Sequence, residues 1–143
     1  MESIRIEKTP KAPLFILTDG YIRLSGRSIP QNAKQLYKIC FDWIEQYVQK
    51  PARKTKVDLF FEYIDTSSIR CVVDLLTKLC SIPENRHKLV EINWYYEKDD
   101  EDSFDLGVYI QQHLKVPFNI ISIEEGDDIP ASSGPDTDTD TES

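Results

Sequence analysis

The feature that most constrains this chain is a change of period in its middle. Across residues 56–64, Val57, Leu59, Phe61 and Tyr63 recur at every second position. From Ile69 onward, Val72, Val73, Leu76, Leu79 and Cys80 recur at helical spacing instead. Period two marks a strand, and period 3.6 marks a helix with one buried stripe. The strand's second face, with Asp58, Phe60, Glu62 and Ile64, is partly apolar as well, which places the strand inside a sheet rather than at its edge. A strand handing straight over to a helix calls for a layered α/β arrangement.

The rest of the chain repeats this alternation. Residues 3–8 and 14–25 read as strands, with Thr18-Asp19-Gly20 as a hairpin turn between two apolar runs. Gly26-Arg27-Ser28-Ile29-Pro30-Gln31-Asn32 reads as a loop, and Pro30 suits the start of a helix. Residues 31–49 carry Leu36, Ile39, Cys40, Trp43, Ile44, Tyr47 and Val48 at helical spacing, and Pro51 stops them. Residues 88–97 alternate through Val90, Ile92, Trp94 and Tyr96. The acids Asp99 to Asp102 lead into a third helix with Phe104, Leu106, Ile110 and Leu114 on its apolar side. Ile120-Ile121-Ser122-Ile123 reads as a last strand. The expected class is α/β: a mixed β-sheet with packed helices in the order β-β-β-α-β-α-β-α-β and right-handed crossovers.

Charge divides the chain. The net charge is −8, but eight acids lie from Glu124 onward, with no Lys or Arg among them. Residues 1–123 are therefore balanced, with 17 acids against 17 bases. The expected domains are one globular unit over 1–124 and a disordered acidic tail over 125–143. A balanced domain carries no electrostatic footprint for nucleic acid. No apolar run is long enough to insert in a membrane, and the first residues lack a secretory pattern, so a cytoplasmic location is expected. Cys40, Cys71 and Cys80 have no paired spacing and read as free thiols among apolar residues.

Motifs for chemistry are missing. His87 and His113 lie in different elements without metal-type partners. The acids at 99–102 lack the spacing and glycine of a calcium loop. Trp43 and Trp94 sit on apolar stripes and read as core. With no metal site, no cofactor motif and no pair of catalytic groups, the chain reads as a binding protein and not an enzyme.

Three places exceed what core packing asks for. Asp65-Thr66-Ser67-Ser68 stands where the strand meets the helix. One such residue suffices for an N-cap. The rest could place hydroxyls where free N–H groups and the helix dipole favour a phosphate. Arg27, in the loop before the first helix, offers a planar fork to a phosphate or a partner. Arg70 follows Thr66 by one helical turn.

Together these stretches resemble the SiaC-type regulatory phosphoproteins of bacteria. The match runs through Thr9-Pro10, Gly26-Arg27-Ser28-Ile29-Pro30-Gln31-Asn32, Trp43, Tyr63-Ile64-Asp65-Thr66-Ser67-Ser68-Ile69-Arg70, Trp94-Tyr95-Tyr96 and Pro117-Phe118. The resemblance implies a fold like that of the STAS-type anti-sigma-factor antagonists. It implies a non-enzymatic switch, phosphorylated by a Ser/Thr kinase and dephosphorylated by a PP2C-type phosphatase. The unphosphorylated form would activate a diguanylate cyclase and so favour biofilm. By position the phosphoacceptor is Thr66. Arg27, Ser28, Asn32, Asp65, Ser67, Ser68 and Arg70 carry over as partner or phosphate contacts. The alternative is a constitutive adaptor whose junction serves only as a cap.

Three residues depart from the family pattern. Asp65 stands in place of the usual Asn, Arg70 in place of Lys, and Gln31 in place of Glu. Asp65 sets a carboxylate beside the expected phosphate. It also makes the junction resemble the STAS version, which leaves Ser67 as a second acceptor.

Overall fold

Each apolar period becomes the element it announces. The computed structural model describes residues 2–82 and 89–130. It contains β1 (Ile4–Ile6), β2 (Leu14–Thr18), β3 (Tyr21–Ser28), α1 (Ala33–Tyr47), β4 (Lys54–Ile64), α2 (Thr66–Leu79), β5 (Leu89–Glu97), α3 (Glu101–His113) and β6 (Phe118–Ile123). The element order is the one the sequence predicts.

The six strands form one mixed sheet in the order β1-β2-β3-β4-β5-β6. Strands β1, β2 and β3 pair antiparallel, and the later pairs are parallel. The Asp19-Gly20 turn joins β2 to β3, with Gly20 at φ +82°. Each parallel pair is bridged by one helix, and right-handed crossovers between adjacent strands put all three on the same face.

The core lies between that face and the helices. Phe15, Leu17, Ile22, Leu24, Val57, Leu59, Ile92 and Trp94 point to it from the sheet. Tyr37, Cys40 and Ile44 of α1, Val72, Leu75, Leu76 and Leu79 of α2, and Ile110 of α3 meet them. Burying such a side chain stabilises the fold by roughly 1.5–3 kcal/mol. Ile39, expected in the buried stripe of α1, is 49% exposed. Ala33 and Tyr37 are buried instead, because the stripe runs through Ala33, Tyr37, Cys40, Ile44 and Tyr47 and leaves Ile39 to one side.

The other face carries no helix. Asp58 is buried there and accepts from Tyr21 Oη (2.8 Å) and Asn93 Nδ2 (3.0 Å). Phe60, Tyr95 and Ile129 form a second small apolar cluster.

Two local departures shape the edge where the parallel strands end. Residues 26–28, expected as loop, continue β3, and Gly26 sits at φ +128°, a conformation open to glycine. Opposite it, Gly26 pairs with Phe61 while Arg27 pairs with Tyr63, which leaves Glu62 as an extra residue in β4. This bulge reverses the alternation. Ile64, not Tyr63, then packs on the core, and Tyr63 is 61% exposed.

Residues 125–130, read from sequence with the tail, lie along the sheet, and Ile129 is buried. The rest of that tail and His87 lie outside the described residues.

Candidate functional site

Strands β3, β4 and β5 end on one edge, and the helices that follow start there. Each helix is capped by an Asn or Asp. Asn32 accepts from Gln35 N (3.2 Å), Asp65 from Ser68 N (2.8 Å) and Asp100 from Ser103 N (3.0 Å). Asn32, Asp65 and Asp100 thus all serve their own helices, each cap worth about 1 kcal/mol. In open α/β sheets, ligand sites gather at this edge.

At the junction the four polar residues divide into two pairs. Asp65 caps α2 with its side chain, and its carbonyl receives Ile69 N at 2.9 Å. Ser68 is fully buried and points inward. Its hydroxyl accepts from Ser28 Oγ at 2.8 Å, and Ser28 Oγ lies 2.7 Å from Tyr37 Oη. Ser28 has one hydroxyl hydrogen, and Ser68 receives it, so Tyr37 must donate to Ser28. Burial holds the Tyr37 phenol well above its ordinary pKa, so it stays a donor; its bond to Ser28 opposes this only in part. This chain of three hydroxyls ties β3, α1 and α2 together beneath the edge.

Thr66 and Ser67 are the other pair. Both are exposed in the first turn of α2. Among the described residues, neither of their backbone N–H groups has a protein acceptor. They are two of the orphan donors that every helix start presents.

Arginine flanks them. The Arg27 guanidinium lies over the Tyr63 ring, 4.8 Å from its centroid, a cation–π contact that the bulge at Glu62 makes available. Arg70 is exposed on the next turn of α2. Ile29, 37% exposed, adds apolar surface beside them. A cleft of about 290 Å³ opens next to Tyr63, lined by Glu62, Ile69, Asp100, Asp102, Ser103 and Leu106 among others.

The expected site residues therefore fall into two groups. Arg27, Asn32, Thr66, Ser67 and Arg70 reach solvent, and Asp65 does so in part. Ser28 and Ser68 do not: both are completely buried, so they brace the edge from below rather than meet a partner. Tyr37 and Tyr63 were missed. Tyr37 falls one turn from Ala33 and Cys40 on the buried side of α1, a spacing that could have found it.

Ser68→Ala is expected to leave the Ser28 hydroxyl without its acceptor. The cost should be about 1–3 kcal/mol. Chemical denaturation reads this. Equal stability of variant and parent would show the buried chain to be idle.

The thiols are poor nucleophiles, since burial pushes Cys40 up to about 12 and Cys80 to about 11. Among the described residues, no three His, Cys, Asp or Glu side chains gather at metal-ligand spacing, and no helix is long and apolar enough to cross a membrane.

The family model described as SiaC family regulatory phosphoprotein matches residues 6–123. The chain belongs to the SiaC family. It thus belongs with regulatory phosphoproteins and is not an enzyme. An uncharacterized protein of Pseudomonas aeruginosa strain UCBPP-PA14 is 28% identical over 109 residues, covering 74% of this chain and 83% of that protein. The fold superposes on SiaC of Pseudomonas aeruginosa with a TM-score of 0.77 at 25% identity, over 86% of this chain and 100% of that one. A second match is to a crystal structure of the diguanylate cyclase SiaD in complex with its activator SiaC, from the same organism. It has a TM-score of 0.75 at 25% identity, over 84% of this chain and 99% of the matched chain. The family match stops at residue 123, where β6 ends.

Proposed function

We propose that this SiaC-family protein is a phosphorylation-controlled switch in the cytoplasm. Unphosphorylated, it binds and activates an output enzyme, a diguanylate cyclase, in biofilm signalling. A Ser/Thr kinase phosphorylates Thr66, with Ser67 as the alternative acceptor, and a PP2C-type phosphatase restores the hydroxyl. The observation that carries this reading is the division at the junction. Asp65 caps and Ser68 braces, yet Thr66 and Ser67 stay exposed with free N–H groups around them. The cyclase as target rests on the relative whose complex names SiaC as the activator of SiaD.

The physics of such a switch is local. A phosphate adds about −1.5 to −2 charges and three acceptor oxygens. A helix N-terminus tolerates it, so the fold is unchanged. A partner packing on the same surface has to strip its water, at a cost of several kcal/mol per unpaired charge. Arg27 and Arg70 are the cations placed to answer that charge.

The test is phosphosite mapping by mass spectrometry after incubation with the cognate kinase and ATP. Phosphate is expected on the peptide containing Thr66 and Ser67, and Thr66→Ala should remove it. Phosphate confined to Thr137, Thr139 or Thr141 would reject the switch.

A constitutive adaptor is the second reading, favoured by the cap that Asp65 does form. It leaves Thr66 and Ser67 without a role. A single unshifted band on a phosphate-affinity gel, from cells under every growth condition, would support it.

A further inference from the structure

After β6 the chain turns back onto the helix-free face. Lys98 N donates to Ile123 O at 2.9 Å. A turn then closes from Asp127 N to Glu124 O at 3.0 Å, with Gly126 at φ +85°. Gly126 N also donates to Glu97 Oε2 at 2.8 Å. From there the segment crosses from β6 toward β3.

It meets a socket made by the domain itself. Ser25, Phe60, Tyr95 and Ile121 lie side by side in register across β3, β4, β5 and β6. Ile129, only 4% exposed, packs with Phe60 and Tyr95, flanked by Ile121 and Ile123. Arg23, 7% exposed, is fixed by its Nε donating to Ser25 Oγ at 3.1 Å. Its outer nitrogens donate to the Pro130 carbonyl at 3.4 Å and the Asp128 carboxylate at 3.3 Å.

Three features make this more than a stray tail. Among the described residues, the ion-pair partner of the buried Arg23 is supplied by the segment. Asp58 lies across the strand pair from Arg23, and a segment that covers the outer nitrogens of Arg23 has to bring acceptors of its own, as Asp128 and Pro130 do. The polar contacts are nevertheless long, and the Asp128 side chain is largely exposed, which fits a segment that can leave. The segment also lies past residue 123, so the family domain builds the socket and an extension only fills it. A cleft of about 220 Å³ continues from Asp128 past Arg23 and Phe60 to Arg5, Glu7, Lys8 and Glu62, so the groove extends beyond the occupant with a lining of mixed charge in which Arg5 is paired with Glu7.

We propose that the helix-free face is a docking surface for an extended acid–aliphatic–proline peptide. Asp128-Ile129-Pro130 is its resident occupant, held reversibly in cis. This surface is separate from the hydroxyl edge and stands whether or not Thr66 is phosphorylated.

A segment tethered by a few residues competes at an effective concentration on the order of millimolar. A free peptide should therefore bind poorly until the tethered copy is disabled. The probe is a fluorescein-labelled peptide of residues 124–130, titrated by anisotropy into full-length protein. Ile129→Asp in the protein is expected to raise its affinity for the free peptide at least tenfold over the parent. Ile129→Ala should do the same to a smaller extent, which guards against an unstable first variant. Adding Phe60→Ala or Arg23→Ala to Ile129→Asp should return binding to the parent level. A probe peptide carrying Asp in place of Ile should not bind. Equal affinities for parent and both Ile129 variants, or no binding by any of them, would overturn the proposal.

Discussion

Thr66→Glu is expected to weaken binding of the proposed cyclase partner by about a hundredfold or more. The estimate follows from desolvating one uncompensated charge inside a contact, where a few kcal/mol correspond to two decades in affinity. Stability should move in the opposite sense, if at all. Thr66 is the first residue of α2, and a carboxylate in a first turn gains about 0.3–1 kcal/mol from the helix dipole. The melting temperature should stay within a few degrees of the parent. Thr66→Ala should bind the partner as the parent does and accept no phosphate at this position. Isothermal titration beside thermal melts separates the cases. Lost binding with a collapsed melting temperature would mean that Thr66 holds up the fold, and unchanged binding would remove it from the contact surface.

The second large effect falls on stability. Gly107→Ala is expected to lower the melting temperature by roughly 5–15 °C, for a loss of about 1–3 kcal/mol. Helix propensity alone argues the reverse, since Ala is favoured over Gly in a helix interior by about 1 kcal/mol. Sterics decide it. A Cβ at Gly107 would stand 2.6 Å from Trp94 Cδ1 and 2.8 Å from its Nε1. Trp94 has little room to yield. It is buried, it donates to Ser103 O at 2.9 Å, and its ring lies 5.9 Å from that of Phe61. Phe61 in turn precedes the bulge that exposes Tyr63, so the strain should travel to the edge. Trp94→Phe in the Gly107→Ala background should recover part of the loss. A melting temperature that rises in the single variant would show that α3 shifts freely and that the close approach is unimportant.

The periodic elements were legible because burial imposes the period directly. Val57, Leu59, Val72, Leu76, Ile92 and Trp94 all reach the core the sequence assigned them. What stayed hidden depends on pairing between distant strands. Glu62 is one residue too many only with respect to β3, and nothing near it in sequence marks that. Tyr63 was consequently assigned to the wrong face. Gly26 looked like a loop signal, yet its positive φ is accommodated inside a strand. At the junction the run of hydroxyls was visible, but its division was not. Ser68 points inward because Ser28 and Tyr37, 40 and 31 positions earlier, wait beneath it. Ile129 looked like part of a polar tail, since a lone aliphatic residue among acids gives no periodic signal.

The strand order has a consequence for synthesis. Every strand of the sheet pairs with the next strand in chain order, so each pairing waits only for the element that separates the two. The two antiparallel pairs close short loops, whereas each parallel pair has to close a loop that contains a whole helix, and these are the slower steps. As the chain leaves the ribosome, the β2–β3 hairpin can form, then accept β4 once α1 has emerged, and so on outward. Each newly added strand is briefly the unprotected edge. The last of them, β6, is followed at once by the turn at Gly126, which carries the chain onto the helix-free face within a few residues of the sheet's completion.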